Sequence, residues 1–400
     1  MQSWQRSRAL RVSRIDELIQ EFCPEGVGSK LLGEVCTIKT GQPVSKVLIS
    51  KNPGEYPVIN SGREPLGFID KFNTEDDPIG ITSRGAGVGS VTWCPGKYYR
   101  GNLNYSVTIK DKRLLDVRFL YFLLMQNQPD IQRLATYQGI PALNKSNLEK
   151  LQIPIPPLEA QKEIVSILDK FTQLEAELSA ELSARRKQYE YYRDILLANQ
   201  DWREVRLRDV STLITKGTTP KKYSIDGIRY IKTESFRNNI IDNSKTVYIS
   251  EQTHNIELKR SILQKDDILF AIAGSIGKCA VVEEMNLPAN TNQALAIIRL
   301  NKDVINVRYV FHYLQSKYMN RYISEKVKGS AQPNLNLQQM NEFPILLPSI
   351  DEQNRIVSIL DKFDIVTNGS LEGLPAEINA RRQQYEYYRS KLLTFQELNA

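Results

Sequence analysis

Between residues 159 and 197, apolar side chains recur every three or four positions: Ile164, Leu168, Phe171, Leu174, Leu178, Leu182, Tyr189, Tyr192 and Leu196. That spacing draws one narrow apolar seam along a helix, as in a coiled coil. No glycine or proline interrupts the segment, and Pro156 and Pro157 stand just ahead of it, where a helix can start but not extend backwards. About 40 residues at about 1.5 Å each predict a rod of roughly 60 Å. Outside this segment the period changes. YPVINSG, GFIDKF, IGITSRG, GSVTWC and NYSVTIK, and later IRYIKT, DDILFAIAG, KCAVVE and ALAIIRL, read as short strands between turns. Amphipathic helices follow each set, at 117–135 and 307–324.

The pattern is written twice. ARRKQYEYYR at 184–193 returns as ARRQQYEYYR at 380–389, with one position changed. EAQKEIVSILDKF at 159–171 returns as DEQNRIVSILDKF at 351–363, and IPALNKSNLEKLQIPIP at 140–156 is echoed by QPNLNLQQMNEFPILLP at 332–348. GVGSV with Asn102 and Asn104 matches SIGKC with Asn290 and Asn292 at one constant offset. The unit is too long for a solenoid repeat, so the chain is a tandem duplication of a domain followed by a helical segment. The globular parts have diverged from each other and the helical parts have not. The second helical segment also carries Asn368, Gly369, Gly373 and Pro375 in a longer bridge. Glycine and proline inside a helix cost about 1 and 3 kcal/mol, so a break is expected there.

Composition narrows the partners. Hydrophobic content of 41% and charged content of 25% are ordinary for a globular protein. A net charge of +7 and a pI near 9.0 tilt the partner list toward polyanions. Cys23, Cys36, Cys94 and Cys279 show no CxxC spacing, and His254 and His312 complete no usual zinc pattern with them, so no metal is expected. No apolar run approaches the roughly 20 residues of a membrane span, and the basic N-terminus lacks a signal core. The chain reads as cytoplasmic, with reduced thiols.

Enzymatic readings fail at the residue level. RGAGVGS at 84–90 lacks the helix and acidic partner of a dinucleotide site. AGSIGKC at 273–279 has Ile272 and Cys279 where a phosphate-binding loop needs glycine and Ser or Thr. IPPL at 155–158 lacks the polar first residue of an adenine-methyltransferase motif. No carboxylate cluster or Ser/His pair offers a nucleophile or base, and no catalytic residue is assigned. Basic and turn-rich loops do recur, and such loops can neutralise phosphates or read base edges. The candidates for DNA contact are Arg63, Arg84, Lys97, Tyr98 and Arg100 in the first half, and Lys216, Thr218, Lys221, Lys222, Lys232, Arg237, Lys278, Lys328 and Ser330 in the second. In the duplicated word, Arg185, Tyr189, Tyr191, Tyr192 and Arg193, with Arg381, Tyr385, Tyr387, Tyr388 and Arg389, are candidates for helix packing or for docking a partner protein used twice.

PIPPLEAQKEIVSILDKF and LSARRKQYEYYRDILL, each with a second copy behind a variable α/β domain, resemble the specificity subunit of type I restriction-modification systems. The EGLP bridge at 372–375 is similar to that family too. The resemblance covers essentially the whole chain. It implies an α+β, mixed α/β architecture of two target-recognition domains joined by two helical segments packed as an antiparallel, pseudo-twofold coiled coil. The expected division is 1–155 and 201–347 for the recognition domains, 156–200 for the first spacer helix and 348–400 for a second segment broken near 368–375. Each domain would read one half of an asymmetric, bipartite double-stranded DNA target. The helices would set the gap and dock two methyltransferase subunits, with restriction subunits joining the full complex. The chain itself would be non-catalytic and hold no cofactor. S-adenosylmethionine would sit on the methyltransferase, and ATP and Mg on the restriction subunit. A non-catalytic coiled-coil scaffold without a DNA role, or a stand-alone DNA enzyme, are the rival readings.

Overall fold

The computed structural model describes residues 16–398 apart from 18, 63, 200, 328–333 and 370–371. The chain forms two compact units, one of Met1–Glu175 with Arg381–Ala400, the other of Ala176–Ala380.

In unit one, Cys36–Thr40, Asn104–Ile109, Ile79–Thr82 and Val91–Trp93 form a four-stranded antiparallel sheet in that order. Ile79–Thr82 is buried along its whole length, as befits a strand covered on both faces. A second sheet places Pro53–Ile59 between Phe68–Ile69 and the parallel strand Tyr99–Arg100. Ser29–Leu31 pairs with Gln152–Pro154 and closes the domain at its two ends. The helix Val117–Gln126 lays Phe119, Leu120, Phe122 and Leu123 into the same core as Ile38, Ile81 and Val107. Its first turn is capped by Asp116, whose carboxylate accepts from the amides of Arg118 and Phe119 at 2.8 and 2.9 Å.

Unit two repeats this plan with different residues. Ser211–Lys216, Leu295–Leu300, Ile268–Ala271 and Cys279–Val281 form the four-stranded sheet. Ile228–Ile231 lies between Val247–Ile249 and the parallel strand Ala289–Thr291, and Arg203–Arg206 pairs with Pro344–Leu347. It adds a hairpin, Phe236–Arg237 with Ile240–Ile241. Asn238 and Asn239 make its turn at φ of 50° and 62°, a left-handed pair that asparagine tolerates best among residues with a side chain. Each expected amphipathic helix is in fact two. The first stops at Gln126 before Pro129 opens Gln128–Arg133. The second stops at Leu314, and Ser316 Oγ accepts from the Met319 amide as Lys317–Val327 begins.

The helical segments are built into the units by matched contacts. Leu158–Leu196 is one helix of 39 residues. The buried side chain of Gln161 accepts from the Asp116 amide at 2.8 Å and donates to the carbonyls of Leu114 and Pro156. Gln353 repeats this with the Asn306 amide and the Pro348 carbonyl. Arg118 pairs with Asp169 at 2.7 Å, and Arg308 with Asp361 at 2.7 Å. The second segment forms Ile350–Asn368 and Leu374–Leu392, with Gly369 and Gly373 at the junction. Gly373 stands at φ 86°, and a Cβ there would lie 2.3 Å from the Ile365 carbonyl oxygen, so only glycine fits.

The compact units are a different division from that into globular parts and helical segments, since each unit combines one globular part with stretches of both helical segments. The helix Leu158–Leu196 belongs to unit one up to Glu175 and to unit two from Ala176. The physical reason is an exchange of partners. In unit one, Phe171 of the first ILDKF meets Tyr385 and Tyr388 of the second word, with ring centroids at 6.1 and 5.8 Å, and Glu175 pairs with Arg382 at 2.6 Å. In unit two, Phe363 of the second ILDKF meets Tyr189 and Tyr192 of the first word at 6.3 and 5.5 Å. As one strand of contacts advances from 171 to 175, its partner falls from 388 to 382, so the pair is antiparallel. The chain end stays with unit one, where the Val27 amide donates to the Gln396 carbonyl at 2.8 Å.

Candidate nucleic-acid interface

In both units a glycine after the first sheet strand sits against the C-terminal end of the parallel strand. A Cβ on Gly41 would lie 2.3 Å from the Gly101 carbonyl oxygen, and one on Gly217 would lie 2.0 Å from that of Thr291. These contacts anchor loops whose tips are exposed. In unit two the loop carries Lys216, Thr218, Lys221 and Lys222, all exposed. The amide of Thr218 donates to the Thr291 carbonyl at 3.1 Å, Thr219 is hydrogen-bonded to Gln293, and the Lys221 amide donates to Glu257 at 3.0 Å. Lys232 holds its ammonium 4.7 Å from the Tyr223 ring centroid beside this loop. The unit two candidates Lys216, Thr218, Lys221 and Lys222 therefore lie along one anchored loop, with Lys232 beside it. Arg237 is exposed on the added hairpin, next to its asparagine turn.

The glycine-rich stretches link antiparallel strands, Ile79–Thr82 to Val91–Trp93 and Ile268–Ala271 to Cys279–Val281. They do not lead from a strand into a helix, so they form neither a dinucleotide cradle nor a phosphate-binding loop. Arg84 is exposed at the start of the first one. Its backbone bridges Ala142, near the exposed side chains of Tyr137 and Ile140. Lys278 is exposed at the end of the second.

Two candidates are corrected. Arg100 is 3% exposed. Its guanidinium donates to the Ile79 and Tyr105 carbonyls at 3.0 Å each, to Asn104 Oδ1 at 2.7 Å and to the Asp77 carbonyl at 2.6 Å. Burial lowers its pKa against the opposing pull of Tyr98 and Asp77. Tyr98 is equally buried, donates its hydroxyl to the Asp77 carbonyl at 2.7 Å and has its pKa raised by burial. Both residues hold the fold together and cannot touch DNA, because pairing of Tyr99–Arg100 with Val58–Ile59 draws this segment inside. Lys97 is exposed, 3.5 Å from Glu75 and 4.7 Å from the Phe72 ring centroid. Arg63, Lys328 and Ser330 lie outside the described residues.

The duplicated word divides in the same way in both copies. Tyr189 is buried and Tyr385 half-buried, each under the guanidinium of Arg193 or Arg389 at 5.3 Å. Tyr192 and Tyr388 supply the stacked rings on Phe363 and Phe171. Arg185 pairs with Glu181 on its own helix and Arg381 donates to Gln384. Tyr191 and Tyr387 turn furthest outward, each 62% exposed, and Tyr192 is 40% exposed at the edge of its stack. Arg186, not singled out from the sequence, lines a cavity with Lys278 and Arg193.

No group of His, Cys, Asp and Glu among the described residues could hold a metal. Burial pushes the thiols of Cys36 and Cys279 up to about 12, which keeps them protonated and unreactive. No described helix is long and apolar enough to cross a membrane.

Two α/β units of like main-sheet order with unlike loops, each braced by one copy of the same helical word, define a duplicated modular protein. The chain matches the family model for the type I restriction modification DNA specificity domain twice, over residues 24–184 and 199–380. It belongs to that family. It is 36% identical to the specificity subunit of the type I restriction enzyme EcoR124I/EcoR124II of Escherichia coli, over 62% of this chain and 65% of that protein, so the match spans just under two thirds of that relative. It is 35% identical to a putative type I restriction enzyme specificity subunit of Haemophilus influenzae, over 76% of this chain and 79% of that protein. The fold is shared with the crystal structure of a type I restriction-modification S subunit from M. genitalium, at a TM-score of 0.62 and 22% identity, covering 92% of this chain and 96% of that one.

Proposed function

We propose that the chain is the non-catalytic DNA-specificity subunit of a type I restriction-modification complex. Each unit reads one half of an asymmetric, gapped DNA target. The observation that carries this is the contrast between loops and helices. Unlike exposed loops sit on the same scaffold in both units, as two different half-sites require, while the outward tyrosine of the word is equally exposed in both. Equal surfaces suit two copies of one partner, and an adenine-N6 methyltransferase subunit is the partner the family points to. Restriction subunits would join through that core complex. The exposed Lys216–Lys222 loop and Arg84 supply the phosphate and base contacts on the recognition side.

The test is a genome-wide map of N6-methyladenine in the source cells with and without the gene. Deletion is expected to erase one asymmetric gapped motif and nothing else. Retention of every methylated motif in cells with an active partner methyltransferase would overturn the proposal. A scaffold without a DNA role would also leave the purified chain without salt-dependent DNA binding.

A further inference from the structure

Unit two contains a cavity of about 320 Å³ where the first word faces the added hairpin and the loop ending at Lys278. Arg186, Arg193 and Lys278 line it against a single acid, Glu190. Arg193 is almost fully buried, and its Nε finds no hydrogen-bond partner among the described residues. Its nearest carboxylate, Asp194, is 3.6 Å away, outside hydrogen-bonding range. Arg186 makes no ion pair with the described residues. The remaining walls include Asn238, Asn239 and Thr367, which offer amide and hydroxyl groups.

Unit one shows what this arrangement looks like when it is satisfied internally. Arg382, which corresponds to Arg186 in the repeat, pairs with Glu175 at 2.6 Å. Thr367 stands at the position of Glu175 in unit two, so that acid is missing there. Arg389, which corresponds to Arg193, donates its Nε to Gln126 at 3.0 Å. Ser90 stands where unit two has Lys278. The polar recess found in unit one sets Lys39 and Arg100 against Glu75 and Asp77 and carries no cation excess. Three changes in one duplicated framework thus remove an acid, add a cation and orphan a buried guanidinium nitrogen, all in the same place.

We infer that this cavity is a phosphate site, and that it grips one backbone phosphate of the DNA read by unit two. The inference rests on the proposed DNA-reading role. A phosphate oxygen would satisfy Arg193 and neutralise Arg186 and Lys278, and Arg binds such oxyanions through paired N–H donors. The cavity is at the small end of ligand sites, suited to a phosphate and its flanking sugar. Because unit one pairs its arginines internally, the grip is one-sided.

The experiment is DNA binding by the full chain to its mapped target across a salt series, for the wild type, Arg186→Gln, Lys278→Gln and the control Arg382→Gln. Loss of one phosphate contact is expected to flatten the slope of log affinity against log salt by about 0.9. Arg186→Gln and Lys278→Gln should each weaken binding several-fold and flatten the slope, while Arg382→Gln keeps the wild-type slope. Arg186 and Lys278 support no core packing, so circular dichroism melts should match the wild type. Wild-type binding with unchanged slopes in both variants overturns the phosphate site and leaves the DNA reading standing. Absence of any wild-type DNA binding overturns both. If inorganic phosphate raises the wild-type melting temperature but not that of Arg186→Gln, while the DNA slopes stay equal, the cavity serves a free anion and the DNA assignment fails.

Discussion

His312 sits at the centre of a buried polar chain that only unit two possesses. Its Nε2 is 2.7 Å from Asp361 and its Nδ1 is 2.8 Å from the Tyr189 hydroxyl. A neutral ring protonated on Nε2 satisfies both, donating to the carboxylate and accepting from the tyrosine. Burial lowers the pKa of His312, and the Asp361 hydrogen bond only partly opposes it. The folded protein therefore binds fewer protons at this ring than the unfolded chain does just below the ordinary histidine value near 6.5. Stability is full above that value and is lost as pH falls through the window beneath it. At Asp361, burial would raise the pKa, but the hydrogen bonds from His312 and Arg308 outweigh it and hold the group low. Its contribution is lost only at more acidic pH. The corresponding residue in unit one is Phe122. His312→Phe is expected to remove the loss of melting temperature between pH 7 and 5.5 and to cost about 1–3 kcal/mol at pH 7.5, because the Tyr189 hydroxyl is left buried without an acceptor. Melts across that range for both proteins check it; an unchanged pH profile in the variant would show that the ring is not the titrating group. Nothing in the sequence tied His312 to a tyrosine more than a hundred residues away. Arg100 teaches the same lesson: a basic residue beside tyrosines reads as a loop contact until strand pairing turns it inward. At the surface, Tyr191 and Tyr387 support no core packing. Changing both to Ala should leave stability within about 0.5 kcal/mol and weaken capture of the methyltransferase at least tenfold in a pull-down titration, with the methylated motif unchanged. A changed motif would break the division of labour between word and loops.

At the scale of elements, periodicity was a sound guide to type and a poor one to individual ring partners. The seam over 159–197 and the glycine break near 369 could both be read from residue spacing, and a helix of 39 residues and a two-helix second segment are what stand there. The antiparallel pairing expected for the two helical segments sets each word against the ILDKF of the other copy, and that is the contact found; the individual ring pairs could not be read from the seam. The seam is also uneven. From Thr172 to Gln188 no side chain is buried, and Leu174, Leu178 and Leu182 are only half-covered. The middle of the helix thus carries no fully buried side chain, and a change of length is expected to be tolerated there. Inserting seven helix-forming residues after Ser179 keeps the seam in phase with a coiled coil and adds about 10 Å of helix. If this helix sets the gap between half-sites, the methylated motif should gain about three base pairs of gap at 3.4 Å each, with both half-sites unaltered. Motif mapping in cells carrying the variant reads this directly. An active variant with an unchanged gap would take the ruler role away from the helix.

For the whole molecule, if each unit reads its own half-site as proposed, the duplication makes the two tasks separable. In unit two, Arg203–Arg206 and Pro344–Leu347 pair antiparallel, so the globular part enters and leaves through adjacent strands. Ser29–Leu31 and Gln152–Pro154 do the same in unit one. A segment that begins and ends at one place can be exchanged without redirecting the chain. The bracing contacts that an exchange must keep include Gln353 on the Asn306 amide, Arg308 on Asp361 and Asp364, Asp194 on the Lys317 amide, Tyr189 against the helix carrying His312, and the core that Ile356 and Leu360 share with Tyr309 and Val310. A donor domain from a relative spanning 203–347, with Asn306, Arg308 and His312 retained, should therefore fold on the resident helices. The expected outcome is a methylated motif in which one half-site is the donor's while the other half-site and the gap are those of the wild type. Loss of both half-sites would mean that the units read DNA jointly, and that the unlike loops on like scaffolds are not independent readers.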